Sequence, residues 1–189
     1  MDLARRTLIG YHFFFLSLLQ RTARESPFLG RELSAPMTTH DRIIEILRST
    51  GRPGIDAVID LMESSGYFTK PGGGHHLEEG GLAKHCLEVY ETMKSAPGNF
   101  PSDSIAVTAL FHDLGKVDGR CGHAGRSLRM LGQVGFQLTA EERFAIGNHP
   151  NNDSLSEFRQ PLRRALSIAD SFSTFWWKAR HPFRKRHKR

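Results

Sequence analysis

His112 and Asp113 stand side by side in ALFHDLGKV, residues 109 to 117, an otherwise apolar run. A carboxylate on an apolar face is costly to bury unless a charge partner or a metal compensates it. Two other residues raise the same question. His85 lies three residues after Leu82 and four before Val89, inside an apolar helical stripe, and Asp170 lies four after Leu166, at the border of another. Taken singly, an aspartate in such a place is ordinarily salt-bridged and a histidine is ordinarily a hydrogen-bonded core residue. Taken together, they occupy inward or helix-end positions on separate helices, and facing helices of a bundle assemble metal sites from such residues. Mixed nitrogen and oxygen ligands suit Mn, Fe, Co, Ni, Mg or Zn, while the lack of a thiolate partner argues against a structural zinc site. His112 and Asp113 are about 100° apart around a helix, so both could reach one central ion or serve two neighbouring ones.

The elements that must position these residues have a helical period almost throughout. THDRIIEILRSTG carries an apolar face of Ile43, Ile44, Ile46 and Leu47 with Gly51 as its stop, and PGIDAVIDLMESSG runs from Pro53 to Gly66. After the glycine-rich KPGGGHHLEEGG, the helix GLAKHCLEVYETMKS buries Leu82, His85, Cys86, Val89, Tyr90 and Met93. SDSIAVTALFHDLG is expected to bury Ile105, Ala109 and the edge of Leu110 and to carry His112 and Asp113. TAEERFAIGNHP offers a capping box, Thr139 with Glu142, and stops at His149 and Pro150. The last helix, QPLRRALSIADSFSTFWW, lines one face with Leu162, Ala165, Leu166, Ala169 and Phe172. No alternating strand pattern or internal repeat interrupts the series, so the expected architecture is an all-α, single-domain bundle of six or seven helices. Trp176 and Trp177 read as exposed, either a dimer contact or the closing of the bundle, and the oligomeric state stays open.

A chain of 189 residues, 39% hydrophobic, can bury one good-sized core. Cys86 and Cys121 form no C-x-x-C pair, which fits a reducing, cytoplasmic setting better than a disulfide framework. The net charge of +6 is concentrated at the C-terminus, where residues 178–189 hold seven Lys/Arg and no acid. That tail is a solvated segment or an electrostatic contact for nucleic acid. Residues 1–36 differ in character: LIGYHFFFLSLL, residues 8 to 19, follows Arg5 and Arg6, but no cleavage site follows it and it is shorter than the roughly 20 residues of a membrane span. These residues are read as an extension upstream of a natural start at Met37, a packed helix, or a targeting segment. The helical domain is expected over 37–177.

The order His85, His112-Asp113, Asp170 resembles the H…HD…D signature of the HD superfamily of metal-dependent phosphohydrolases. GGLAKHCLEVY is similar to that family's first-histidine helix, ALFHDLGK to its central helix and ALSIADSFST to its last-aspartate helix, so the likeness spans residues 75 to 175. It implies a helical bundle holding one or two divalent metal ions through His85, His112, Asp113 and Asp170. His123 and His149 stand where two-metal members place additional histidines. The implied chemistry is hydrolysis of a phosphate ester of a nucleotide or another small phosphorylated substrate. A metal lowers the pKa of its bound water and neutralises phosphoryl charge, with Asp113 orienting the water and Lys116 holding the phosphate as a mobile point charge. Lys116 could instead simply interact with the helix dipole, and Arg126 carries the same ambiguity.

His75 and His76 resemble the segment that precedes the first metal histidine in members related to 3′–5′ exoribonucleases. They would sit on a loop at the mouth of the site and bring an imidazole to the substrate, or lie in solvent. Two other functions fit the same residues. One is cleavage at the ends of single-stranded nucleic acid, with the basic tail as tether. The other is a metal-binding sensing module without turnover.

Overall fold

A computed structural model describes residues 37–96, 98–150 and 160–182. The chain divides between Pro36 and Met37 into two units. The apolar run 8–19 and the basic residues 183–189 lie outside the described residues. Seven α-helices and a short 3-10 helix make up the fold, with no strand among the described residues. They are α1 (Thr39–Ser49), α2 (Ile55–Ser65), α3 (Gly81–Ser95), α4 (Ser102–Phe111), the 3-10 helix (Leu114–Asp118), α5 (His123–Gln133), α6 (Ala140–Asn148) and α7 (Pro161–Arg180). The all-helical bundle expected from the sequence is what the chain forms.

Helix starts follow local chemistry. Thr38 caps α1 in a reciprocal box with Asp41, and Thr139 does the same for α6 with Glu142. Pro161 is the first residue of α7, where its missing N–H costs nothing. Helix α2 begins at Ile55, two residues later than Pro53 suggests, because Gly54 takes the cap position in left-handed conformation.

At the centre of the bundle lies α4, against α1, α3 and α6. The sequence suggested one apolar face, but every residue from Ile105 to Phe111 is buried, so this helix is enclosed on all sides. It also ends earlier than its pattern does. The amide of Gly115, which would bond to the carbonyl of Phe111 in a continuing helix, donates instead to the Ser127 hydroxyl at 2.8 Å. That hydroxyl also lies 3.0 Å from the carbonyl of His112. With both groups drawn away, the chain tightens into the 3-10 helix, closed by Lys116 N–H to Asp113 O at 2.8 Å. Asp113 falls at the junction, φ −105° and ψ 6°, and not within a helix.

On α7, Leu162, Arg163, Leu166, Ala169, Ser173 and Trp177 are buried, whereas Ala165 and Phe172 are only half-buried. The helix runs on through Arg180, so Lys178 and Arg180 form its last turn. The two tryptophans part company: Trp176 is 38% exposed, but Trp177 is 5% exposed and closes the bundle.

A second buried polar cluster ties the start of α6 to the rest of the bundle. The Arg52 guanidinium donates to Glu142 at 2.8 and 3.1 Å, to Asp103 at 3.0 Å and to the carbonyl of Gln137 at 2.8 Å. Ser104 adds a hydroxyl donor to Glu142 at 2.7 Å. Hydrogen bonds from Arg52 and Ser104 outweigh burial and hold the Glu142 carboxyl below its ordinary range.

Candidate metal centre

Six side chains converge from five segments. His85 comes from the middle of α3 and Asp170 from the middle of α7, while His112 ends α4, His123 begins α5 and His149 ends α6. Asp113, fully buried, lies among them. Its Oδ2 faces His85 Nε2 at 3.5 Å and His112 Nε2 at 3.3 Å, and its Oδ1 faces His123 Nε2 at 3.1 Å and His149 Nε2 at 3.5 Å. Asp170 Oδ1 lies 3.1 Å from His85 Nε2.

Hydrogen bonds on the outer ring nitrogens fix which nitrogen of each histidine faces inward. A carbonyl can only accept, so Nδ1 must carry the proton in His112, His123 and His149. Each donates to the carbonyl three residues back: His112 to Ala109 at 2.8 Å, His123 to Arg120 at 2.7 Å and His149 to Ile146 at 2.8 Å. His85 reaches the same state by another route. The Ser173 hydroxyl donates to the Glu88 carboxylate at 2.8 Å, and its oxygen therefore accepts from His85 Nδ1–H at 3.1 Å. In their neutral state all four imidazoles thus aim an unprotonated Nε2 at the two aspartates, which is the tautomer that binds metal.

That arrangement leaves lone pairs facing one another. The Nε2 atoms of His123 and His149 are 3.1 Å apart with both outer protons already committed. His85 Nε2, His112 Nε2 and Asp113 Oδ1 are buried without a hydrogen-bond partner. A cation shared among these atoms would satisfy them all. Ligand atoms of His85, His112 and Asp113 form one compact group that could hold a metal ion, those of Asp113, His123 and His149 a second, and those of His112, His149 and Asp170 a third overlapping both.

The electrostatics agree with this reading. Burial pushes His85 and His149 below the ordinary histidine value despite the nearby aspartates. For Asp113, burial alone would raise the pKa, but the charges of His112 and Lys116 hold it well below the carboxylate range. Asp170 is also lowered, because the pull of the His85 and His112 imidazoles beside it outweighs burial. In His112 the opposing pull of Asp113 exceeds the effect of burial and raises the imidazole, so a divalent ion would compete there with a proton.

Lys116 places its ammonium directly on Asp113 Oδ2, inside the cluster rather than at a helix end. Arg126 has a different role from a phosphate contact. Its guanidinium donates to the carbonyls of Gly115 at 2.6 Å, Gly119 at 2.7 Å and Cys121 at 3.2 Å, holding the loop between Asp113 and His123. His75 and His76 are both buried, not solvated. His76 is fully enclosed, and its Nε2–H donates to Glu88 at 3.0 Å, which leaves its Nδ1 to accept from His75 Nδ1–H at 2.9 Å. His76 is therefore an internal link and not a substrate contact. His75 lies with its ring 4.5 Å from that of His85, the two inclined at 60°, and burial, aided by His85 and Lys116, lowers it to about 3. It keeps an unprotonated Nε2 beside the cluster.

Four residues matter here that the sequence reading did not single out. Glu88 receives both the His76 and the Ser173 protons, so one carboxylate oxygen sets the tautomers of His75 and His85 together. Glu88 is three residues after His85 and Ser173 three after Asp170, and this same-face spacing was visible in the sequence. Ser127 ends α4 as described. Gly115 admits α5 at close range, since a Cβ there would lie 2.3 Å from the His123 carbonyl. Comparison with protein-family models, with curated proteins and with solved structures finds no match.

Proposed function

We propose that this chain is a metal-dependent phosphohydrolase acting on a phosphate ester of a nucleotide or another small phosphorylated substrate. The observation that carries the proposal is the set of inward Nε2 lone pairs, fixed by their outer hydrogen bonds around two aspartates. The chemistry of this donor set fits Mn, Fe, Co, Ni, Mg or Zn. Asp113 faces two histidines with each of its oxygens, so one ion would be held by His85, His112, Asp113 and Asp170, and a second would find His123 and His149 beside the same aspartate. A divalent ion in such a site supplies charge neutralisation for phosphoryl oxygens and lowers the pKa of a coordinated water.

The chain's own residues supply the remainder. Asp113 accepts hydrogen bonds at the centre and so orients a water toward the ester. Lys116, already on Asp113, is a compact charge suited to a phosphoryl oxygen. His75 offers a proton-free nitrogen to a hydroxyl or water beside His85.

A second reading is cleavage at the ends of single-stranded nucleic acid. It is favoured by the exposed end of α7, where Arg180 lies 5.0 Å over the Trp176 ring and basic residues follow. The same assay separates the two. The full chain is analysed for bound metal and then supplied with Mn, Ni, Co, Mg or Fe against nucleotides, phosphodiesters and short RNA, with His112→Ala and Asp113→Ala as controls. Turnover of small esters that needs metal and is lost in both variants is the expected result. Metal-independent turnover, or turnover that persists in both variants, defeats the proposal. Metal binding without any turnover favours a sensing module.

A further inference from the structure

Three cationic side chains, Lys116, Arg120 and Arg126, follow Asp113 in the chain, and two of them are already engaged. Lys116 is on Asp113 and Arg126 is bonded to three loop carbonyls. The third is Arg120. Among the described residues, no hydrogen bond or ion pair engages its guanidinium, and the residue is exposed.

Its position is nevertheless well defined. The Arg120 carbonyl accepts the Nδ1 proton of His123 at 2.7 Å, so its backbone belongs to the metal cluster. Its side chain then crosses to the glycine-rich loop and rests on Gly73 and Gly74. A Cβ at Gly73 would lie 2.9 Å from Arg120 Cδ, and one at Gly74 would lie 3.0 Å from Nη2. Gly74 precedes His75, whose ring lies 4.5 Å from that of His85. Arg120 thus connects the His123 side of the cluster to the His75 side. Two consecutive glycines give it a floor free of side chains, and among the described residues no partner takes up its guanidinium N–H donors.

We infer that Arg120, seated on Gly73 and Gly74, is the residue that binds the phosphate of the substrate by its guanidinium fork. The inference rests on the phosphohydrolase reading. A planar guanidinium matches two oxygens of a tetrahedral anion, which a lysine ammonium cannot do with the same geometry. Lys116 then acts as the point charge at the centre and Arg120 as the orienting clamp at the rim. The last two glycines of the triplet are explained as a seat for an arginine.

The test uses the full chain loaded with Mn and titrated calorimetrically with inorganic phosphate, with metal content and Tm measured on the same samples. Arg120→Ala should weaken phosphate binding by about tenfold or more, as expected for loss of a charge-assisted pair, with metal content and Tm unchanged. Arg120→Lys should recover only part of the affinity. Gly74→Ala, which displaces the guanidinium and leaves its charge in place, should also weaken binding. In turnover, Arg120→Ala should raise KM more than it lowers kcat. Equal phosphate affinity in wild type and Arg120→Ala, with metal retained, overturns the role of Arg120 and leaves the phosphohydrolase reading standing. A wild-type protein that holds no metal defeats both.

Discussion

Two buried polar clusters sit in one small bundle, and they are built on opposite principles. Around Arg52 and Glu142, every charge meets a countercharge and every buried atom finds a partner. Around Asp113, the outer atoms of the histidines are fully bonded while the inner ones are left facing each other, two of them and one oxygen of Asp113 with no partner. The first cluster is complete as it stands and holds helices together. The second leaves buried polar atoms that a divalent cation could satisfy. A polar cluster in a core is thus assigned by what remains unsatisfied, not by how many charges it contains.

Breaking the complete cluster should give the largest loss of stability. Glu142→Ala strips Arg52 of its main partner in a half-enclosed site and should cost about 3 to 5 kcal/mol by urea denaturation, while the metal content of the folded fraction stays that of wild type. A large loss of metal there would mean that the two clusters are not independent. Gly115→Ala is next. Its Cβ would press on the backbone at His123, and a loss of about 1 to 3 kcal/mol should come with weaker metal binding, because the clash moves a ligand.

The histidines sharpen the contrast. Three are oriented by backbone carbonyls of their own turn, which no side-chain substitution removes. His85 depends on Ser173 and Glu88 instead. Ser173→Ala or Glu88→Ala should weaken metal binding by about 10- to 100-fold, and Glu88→Gln should retain most of the affinity, since one amide oxygen can accept both protons. If Glu88→Gln is as weak as Glu88→Ala, the carboxylate charge matters and not the tautomer.

The pH dependence gives the smallest effect. His75 in the folded chain titrates at about 3 because of burial, whereas the unfolded chain takes up that proton below about 6.5. The unfolded state therefore binds more protons, and stability of the metal-free protein should fall as pH drops from 6.5, by up to about 2 kcal/mol at pH 5 from this group. His75→Gln should flatten that slope. Asp113 and Asp170 act in another window: their lowered pKa values contribute stability above the ordinary carboxylate range, and it is lost only in stronger acid.

Much of this was legible in the sequence because helical period and helix ends are local properties. The inward stripe of α3 placed His85, the Thr139 and Glu142 pair marked the start of α6, and His149 before Pro150 marked its end. Less legible was whatever depends on a partner distant in the chain. The sequence could not show that α4 is enclosed on all sides, or that Ser127 ends it. It left Arg126 open between a phosphate contact and a helix-end charge and did not single out Arg120, yet three loop carbonyls take up the Arg126 guanidinium. Likewise, HH after three glycines suggested a solvated loop, and only the packing against α3 turned His76 into an internal link to Glu88.

The central claim is that four Nε2 atoms and two aspartates form a centre for divalent metal, and metal analysis of the full chain tests it most directly. After saturation with Mn and removal of free ion, the wild-type protein should retain one or two ions per chain and Asp113→Ala none. A wild-type protein that retains no ion, or an Asp113→Ala variant that retains as much as wild type, would contradict it.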